Sequence, residues 1–172
     1  MWMTDPDGTV WTGDCYYVRA RVENSGNVRA EKVQVYASKL AQLGVGGKFE
    51  EIQTFLPLNT RWANYPAGAP ASFLDGISPG MGAFCDIVAI CDPANPKWPR
   101  PTGTMPNATV GVLQLEAETR EAWLAPGRYQ LALRIAAANA KPIEKSFEFS
   151  HTGTWDPNDS LMRQNHLSVS LK

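Results

Sequence analysis

The stretch Val18 to Ser38, VRARVENSGNVRAEKVQVYAS, alternates apolar and polar residues, breaks on Asn-Ser-Gly-Asn, and alternates again. A period of two turns successive side chains to opposite faces of an extended chain, so Val18, Ala20 and Val22 share one face while Arg19, Arg21 and Glu23 share the other. Residues Asn24 to Asn27 bond to their own backbone or tolerate positive φ, and they read as a turn. Val33, Val35 and Ala37 then alternate with Lys32, Gln34 and Tyr36. Two strands that are each apolar on one face need a second layer to cover that face, which a sandwich or barrel supplies.

The pattern recurs behind Pro-Gly pairs, where proline presets φ and glycine permits the reversal. Pro79-Gly80 precedes a run from Ala83 to Ile90, and Pro126-Gly127 precedes RYQLALRIA, in which Tyr129, Leu131, Leu133 and Ile135 share a face. TVGVLQLEAE carries Val110, Val112, Leu113 and Leu115 with one slip of parity, for which a bulge at Gly111 is one explanation. KSFEFS and NHLSVSL add Phe147 and Phe149, then Leu167, Val169 and Leu171. ANAKPIE reads as a hairpin connection turned by Asn139 and Pro142. SKLAQLGVGGKFEEIQTF predicts a single helical turn over Lys39 to Leu43, a glycine-rich reversal and a short strand from Phe49 to Phe55. Together these runs predict an all-β antiparallel sandwich of about seven to nine strands. Residues 1–172 are expected to form one domain, compatible with excision from a longer protein.

Two regions break the spacing. Residues 56–80 and 92–108 are rich in Pro, Gly and Asn and carry Trp62, Tyr65 and Trp98. Connections longer than about 12–15 residues are usually functional or disordered.

Composition narrows the function classes. Sixteen basic and seventeen acidic residues leave a formal net charge of -1 with no basic block, so a nucleic-acid partner is not expected. No apolar stretch approaches the roughly 18–20 residues that cross a bilayer, so membrane insertion by this segment is not expected either. In CDIVAIC, Cys85, Ile87, Ala89 and Cys91 fall on one parity, which on a single strand holds the two thiols roughly 20 Å apart. They are then unable to pair with each other, and Cys15 alone is free to reach one of them across a sheet. Reduced cysteines packed as small hydrophobes are the favoured reading, and with them a reducing, cytoplasmic compartment. The sequons at Asn107 and Asn158 matter only in a secretory pathway.

Enzymatic constellations find little support. His151 and His166 are the two histidines, and neither lies in a nucleophile motif; both read as surface or strand-end residues. No H-E-x-x-H or C-x-x-C spacing points to zinc. Asp5-Pro-Asp7-Gly8 and Asp156-Pro157-Asn158-Asp159 gather oxygens as calcium requires, but the same residues build turns, and neither run continues to an EF-hand glutamate. Gly44 to Lys48 lacks the hydroxyl residue of a phosphate loop and reads as a hairpin loop. No catalytic residue, cofactor or metal is expected. Of six tryptophans, Trp11, Trp62, Trp98 and Trp155 fall in segments read as loops or strand edges, where their rings either cap the sandwich, anchor a protein contact or stack on a sugar.

The order V-E-N-S-G-N, A-E-K-V-Q-V, I-S-P-G and L-A-P-G-R-Y resembles the bacterial immunoglobulin-like β-sandwich domains of the CARDB and fibronectin III-like kind. The matching positions are Val22, Asn24, Gly26, Ala30, Val33, Val35, Pro79, Gly80, Pro126, Gly127 and Tyr129. The resemblance implies an immunoglobulin-like sandwich and a non-enzymatic role in adhesion, spacing or docking, with the two long loops as additions. A protein partner is therefore expected at a surface formed around Trp62, Tyr65 and Trp98, and a carbohydrate-binding module using loop tryptophans is the alternative. An exposed sheet edge is a further place where such a domain can dimerise.

Overall fold

The computed structural model describes residues 2–4, 10–63, 72–94, 109–117 and 119–172. In chain order its strands are β1 (Trp2–Thr4), β2 (Val10–Thr12), β3 (Cys15–Glu23), β4 (Ala30–Leu43), β5 (Phe49–Glu51), β6 (Leu58–Asn59), β7 (Arg61–Trp62), β8 (Leu74–Ile77), β9 (Gly82–Cys91), β10 (Gly111–Leu113), β11 (Trp123–Leu124), β12 (Gly127–Ala137), β13 (Ala140–His151) and β14 (Leu167–Leu171). One antiparallel sheet runs β11-β10-β9-β3, with β7 also on β9. The other runs β14-β13-β12-β4-β5, with β6 and β8 also on β4. The expected all-β antiparallel sandwich is what forms. Val18, Cys85 and Ile90 of the first sheet meet Val33, Leu131 and Phe149 of the second in one buried core. Among the described residues no helix is long and apolar enough to cross a membrane.

The turn that interrupts the opening alternation is held by Asn24. Its Nδ2 donates to the carbonyls of Val28 and Ile77, each at 2.8 Å, and its Oδ1 accepts the Gly26 N–H at 3.0 Å. The corner after β8 closes with Met81 N–H on Ser78 O at 3.0 Å, with Pro79 and Gly80 (φ 71) in the central places, as a type II turn requires. Gly80 N–H and Met81 O bond the main chain of Asn24, so this residue ties the two corners together through its main chain as well as through the side-chain bond to Ile77 O. Asn24→Ala is expected to destabilise by about 1–3 kcal/mol, since two carbonyls lose donors. A urea midpoint unchanged from wild type would refute that bracing role.

Bulges decide which residues face inward. Along β4 and β12, Lys39 pairs with Ala132 and Ala37 with Leu133, leaving Ser38 as an extra residue whose Oγ donates to Ala132 O. The helical turn expected over Lys39 to Leu43 does not occur. The strand runs through to Leu43, because the bulge reverses parity, buries Leu40, and leaves Ala41 to Leu43 paired with β5. A second bulge lies in β9. Val18 pairs with Val88 and Arg19 with Asp86, so Ile87 is unpaired and both Ile87 and Val88 point into the core.

That second bulge overturns the single parity expected for CDIVAIC. Cys85 lies in the main core, whereas Cys91 joins Ala89 and Val112 in a smaller cluster flanked by Cys15, Tyr17 and Trp123. The same cluster accounts for the parity slip in TVGVLQLEAE. The ladder passes Gly111 without a shift of register; Val112 is buried in the smaller cluster and Leu113 in the main core. A Cβ at Gly111 would stand 3.3 Å from Ile90 Cδ1 and 3.4 Å from His151 Nε2, so glycine serves close packing there.

Two loop expectations also change. Parts of 56–80 are the short strands β6, β7 and β8, which pair with β4 and β9 despite a composition that reads as loop. The β12–β13 hairpin turns at Ala138-Asn139, and Pro142 lies within the exposed start of β13. Asn139 clamps this tip, accepting the Glu31 N–H at 3.0 Å and donating to Arg29 O at 2.9 Å.

Candidate functional site

Of the three residues around which a partner surface is expected, Trp62, Tyr65 and Trp98, only Trp62 lies among the described residues. Trp62 pairs with Cys85 across β7 and β9 and is only 3% exposed. Its ring is part of the core, and its Nε1 has no hydrogen-bond partner. Core packing, not a surface contact, explains why a tryptophan stands there. Tyr65 and Trp98 lie outside the described residues, as does the Asp5-Pro-Asp7-Gly8 run. Trp155 packs on Tyr16, with ring centroids 4.9 Å apart, and Tyr16 OH donates to Asp156 O at 2.8 Å. These contacts fasten the connection before β14 to β3.

The oxygens of 156–159 are engaged locally. Asp156 Oδ1 accepts the Asn158 N–H, and Asn158 Oδ1 caps a one-turn helix (α1, Asp159–Leu161) by accepting from Ser160 and Leu161. Asp159 pairs with Arg163 at 3.0 Å. Gly44 to Lys48 forms the expected hairpin loop, closed by Gly44 N–H on Lys48 O at 2.9 Å. Among the described residues no three His, Cys, Asp or Glu side chains gather as a metal site.

The two histidines differ. His166 Nδ1 lies 3.0 Å from Thr152 Oγ1 near the surface. His151, read as a surface or strand-end residue, is in fact 3% exposed, and neither ring nitrogen makes a hydrogen bond. Burial pushes its pKa below the ordinary 6.5, and the nearby main chain of Leu124 and Ala125 offsets only part of that cost. The sign follows from the proton count. Below pH 6.5 the unfolded chain takes up a proton that the folded ring refuses, so stability falls with pH until the folded value is passed and is then level. Above that window the ring is neutral in both states and contributes no slope. On acidification from pH 7.5 to pH 4.5 the urea midpoint of wild type should fall relative to that of His151→Phe, which has no proton to take up; parallel curves would contradict a buried neutral imidazole.

The alternation in LSVSL marks the final strand, and the pairing with β13 gives its place in the sheet. Leu167, Val169 and Leu171 oppose His151, Phe149 and Phe147 on β13, so they continue the apolar face of the sheet. Phe147 and Phe149 are buried, yet Val169 is 46% and Leu171 64% exposed, because among the described residues β14 is the last strand of its sheet and no strand pairs with its far side. Ser168 and Ser170 stand on the other face beside Ser150 and Glu148. Glu148 there accepts Arg128 at 3.0 Å and has Lys172 at 3.9 Å.

The open side has a definite hydrogen-bonding pattern. Lys172 N–H donates to Ser146 O at 2.7 Å and Thr152 N–H to His166 O at 3.0 Å. In an antiparallel ladder the even-numbered residues from 166 to 172 therefore turn their main-chain groups toward β13, while Leu167, Val169 and Leu171 turn theirs outward. Other described edges of the two large sheets are charged or very short: β3 carries Arg19, Arg21 and Glu23, β5 carries Glu50 and Glu51, β8 carries Asp75, and β6, β7 and β11 are each two residues long, β6 and β11 without charge. The free edge of β13 beyond β14 has Lys141, Pro142, Glu144 and Lys145. Such charges and prolines are the usual guards against strand addition, and LSVSL has neither, nor a shift of register with β13. Compared with protein-family models, with curated proteins and with solved structures, the chain matches none.

Proposed function

We propose that this chain is a non-enzymatic interaction domain that docks an extended strand of a protein partner along β14. The observation that carries the reading is the unguarded edge. Three outward N–H and C=O pairs and a half-exposed apolar row are what strand addition uses, the main chain supplying affinity and alternate side chains specificity. An immunoglobulin-like kinship of the bacterial CARDB or fibronectin III-like kind belongs to the same proposal. It is supported by β3 pairing with β9 in one sheet and β4-β12-β13 in the other. It is also supported by Tyr129, whose hydroxyl donates back to Ala125 O at 2.9 Å in the manner of a tyrosine corner.

The test is selection of extended peptides from a random library on the wild-type protein, followed by amide-shift mapping of the bound complex. Shifts centred on Leu167, Val169 and Leu171, with Val169→Pro abolishing capture, support edge docking. Proline at this outward-facing position removes a donor that β13 does not use. Binders whose shifts fall elsewhere, or a library that yields none, would overturn it.

A further inference from the structure

We infer that the strand received by β14 is the β14 of a second copy of this chain, an inference that rests on the edge-docking reading above. The five residues Leu167-Ser168-Val169-Ser170-Leu171 read the same in both directions. An antiparallel partner with an identical sequence therefore meets its own chemistry at every position when the two-fold axis passes through Val169: Leu167 faces Leu171 of the second copy, Ser168 faces Ser170, and Val169 faces itself.

The backbone pattern fits that axis. Val169 turns its N–H and C=O outward, so two copies centred on it exchange both bonds, and Leu167 and Leu171 do the same on either side. About six main-chain hydrogen bonds join the sheets. Leucine and valine side chains of the two strands then form one apolar row, continuous with Phe147 and Phe149 on β13, and the serines lie together on the opposite face. No charged residue lies within the paired segment, so no like charges oppose each other across the axis. A two-fold contact of this kind is isologous and closes at two copies, leaving no further open β14 edge. A different strand partner would need no palindrome.

The contact is small, so a concentration-dependent dimer is expected, assembling toward the weak end of pairwise affinities, about 1 mM to 1 μM. Sedimentation of the wild-type chain over that range should move from the 18.9 kDa of one chain to about twice that mass. Because the axis makes one substitution count twice, Val169→Lys and Val169→Glu should each remain monomeric. Mixing the two variants should restore a dimer, since opposite charges then meet at the centre. Each variant alone must keep the wild-type far-ultraviolet spectrum, which an exposed edge position allows.

A wild-type monomer throughout, or a dimer indifferent to both substitutions, overturns self-pairing. The octapeptide Asn165 to Lys172 then separates this failure from that of the broader reading. If it shifts the outward amides of β14, the edge accepts strands and only the second copy is excluded. If it shifts nothing, edge docking falls as well.

Discussion

Trp62→Ala is expected to lower the unfolding free energy by about 3–5 kcal/mol, the range for emptying the space of a buried large aromatic side chain. Trp62 is almost wholly enclosed between β9 and the core, and the ladder around it, with Arg61 and Trp62 on Asp86 and Cys85, leaves little freedom to collapse into the cavity. Trp62→Phe is expected to cost far less, about 1 kcal/mol, because it keeps most of the apolar volume and removes an Nε1–H that has no partner. Equilibrium urea unfolding of both variants checks the pair. Near-wild-type stability for Trp62→Ala would mean the ring is not a core element and would return it to the surface role expected from the loop composition. Loss of partner binding by Trp62→Ala has to be corrected for the unfolded fraction before it is read as a lost contact.

Oxidation should link Cys15 to Cys91 and leave Cys85 free. The structure contains three free cysteines, and Cys15 and Cys91 are direct cross-strand partners in β3 and β9. Asp92 N–H donates to Asp14 O at 3.1 Å, so the adjacent Cys15/Cys91 pair occupies a non-hydrogen-bonded position. Such positions bring Cα atoms to about 4.5 Å, within the span a disulfide accepts. Cys85 faces Ala20 instead and lies in the main core, its thiol pushed up to about 11 by burial. Burial also raises the Cys15 and Cys91 thiols, so both are protonated at neutral pH and their reaction should quicken as pH rises.

With diamide, the two thiol hydrogens pass to the N=N bond as the sulfurs join, and the count of free thiols should fall from three to one. Cys85→Ser should not block the linkage, whereas Cys15→Ser or Cys91→Ser should. Closing a loop of about 77 residues is worth roughly 4.5 kcal/mol on the chain-entropy model, less any strain in the folded state. A folded protein that keeps all three thiols under diamide at alkaline pH would contradict the cross-strand opposition.

Some of this molecule was legible as a string of residues. Alternation located β3, β4, β9, β12, β13 and β14. Pro79-Gly80 marked a corner where only a residue with positive φ fits the third place of the turn, and Asn24 marked the turn it braces. Local chemistry suffices for those features, because a period of two and a turn's dihedral demands are properties of a few adjacent residues. The cysteine partners were narrowed to Cys15 with one of two others, but parity counted along CDIVAIC put both on one face. A single extra residue at Ile87 reverses that count, and a bulge is set by the neighbouring strand rather than by the sequence that contains it.

The candidate sites divide along the same line. Trp62 in a Pro- and Gly-rich stretch reads as a loop aromatic, and only its pairing with β9 shows that it is enclosed. His151 has no local mark of burial, since its surroundings come from β10, β11, β12 and β14. The alternation of Leu167, Val169 and Leu171 predicts an apolar face, and the palindrome is visible in the letters. Whether that face is covered depends on which strand ends the sheet. The amino-acid sequence by itself determined the alternating strands β3, β4, β9, β12, β13 and β14, the turns at Asn24 and Pro79-Gly80 and the self-complementary LSVSL segment, because these follow from dihedral preferences and side-chain alternation. The tertiary structure alone decided which faces are buried, which cysteines meet and which edge lies open, because burial and strand order arise from contacts between residues far apart in the chain.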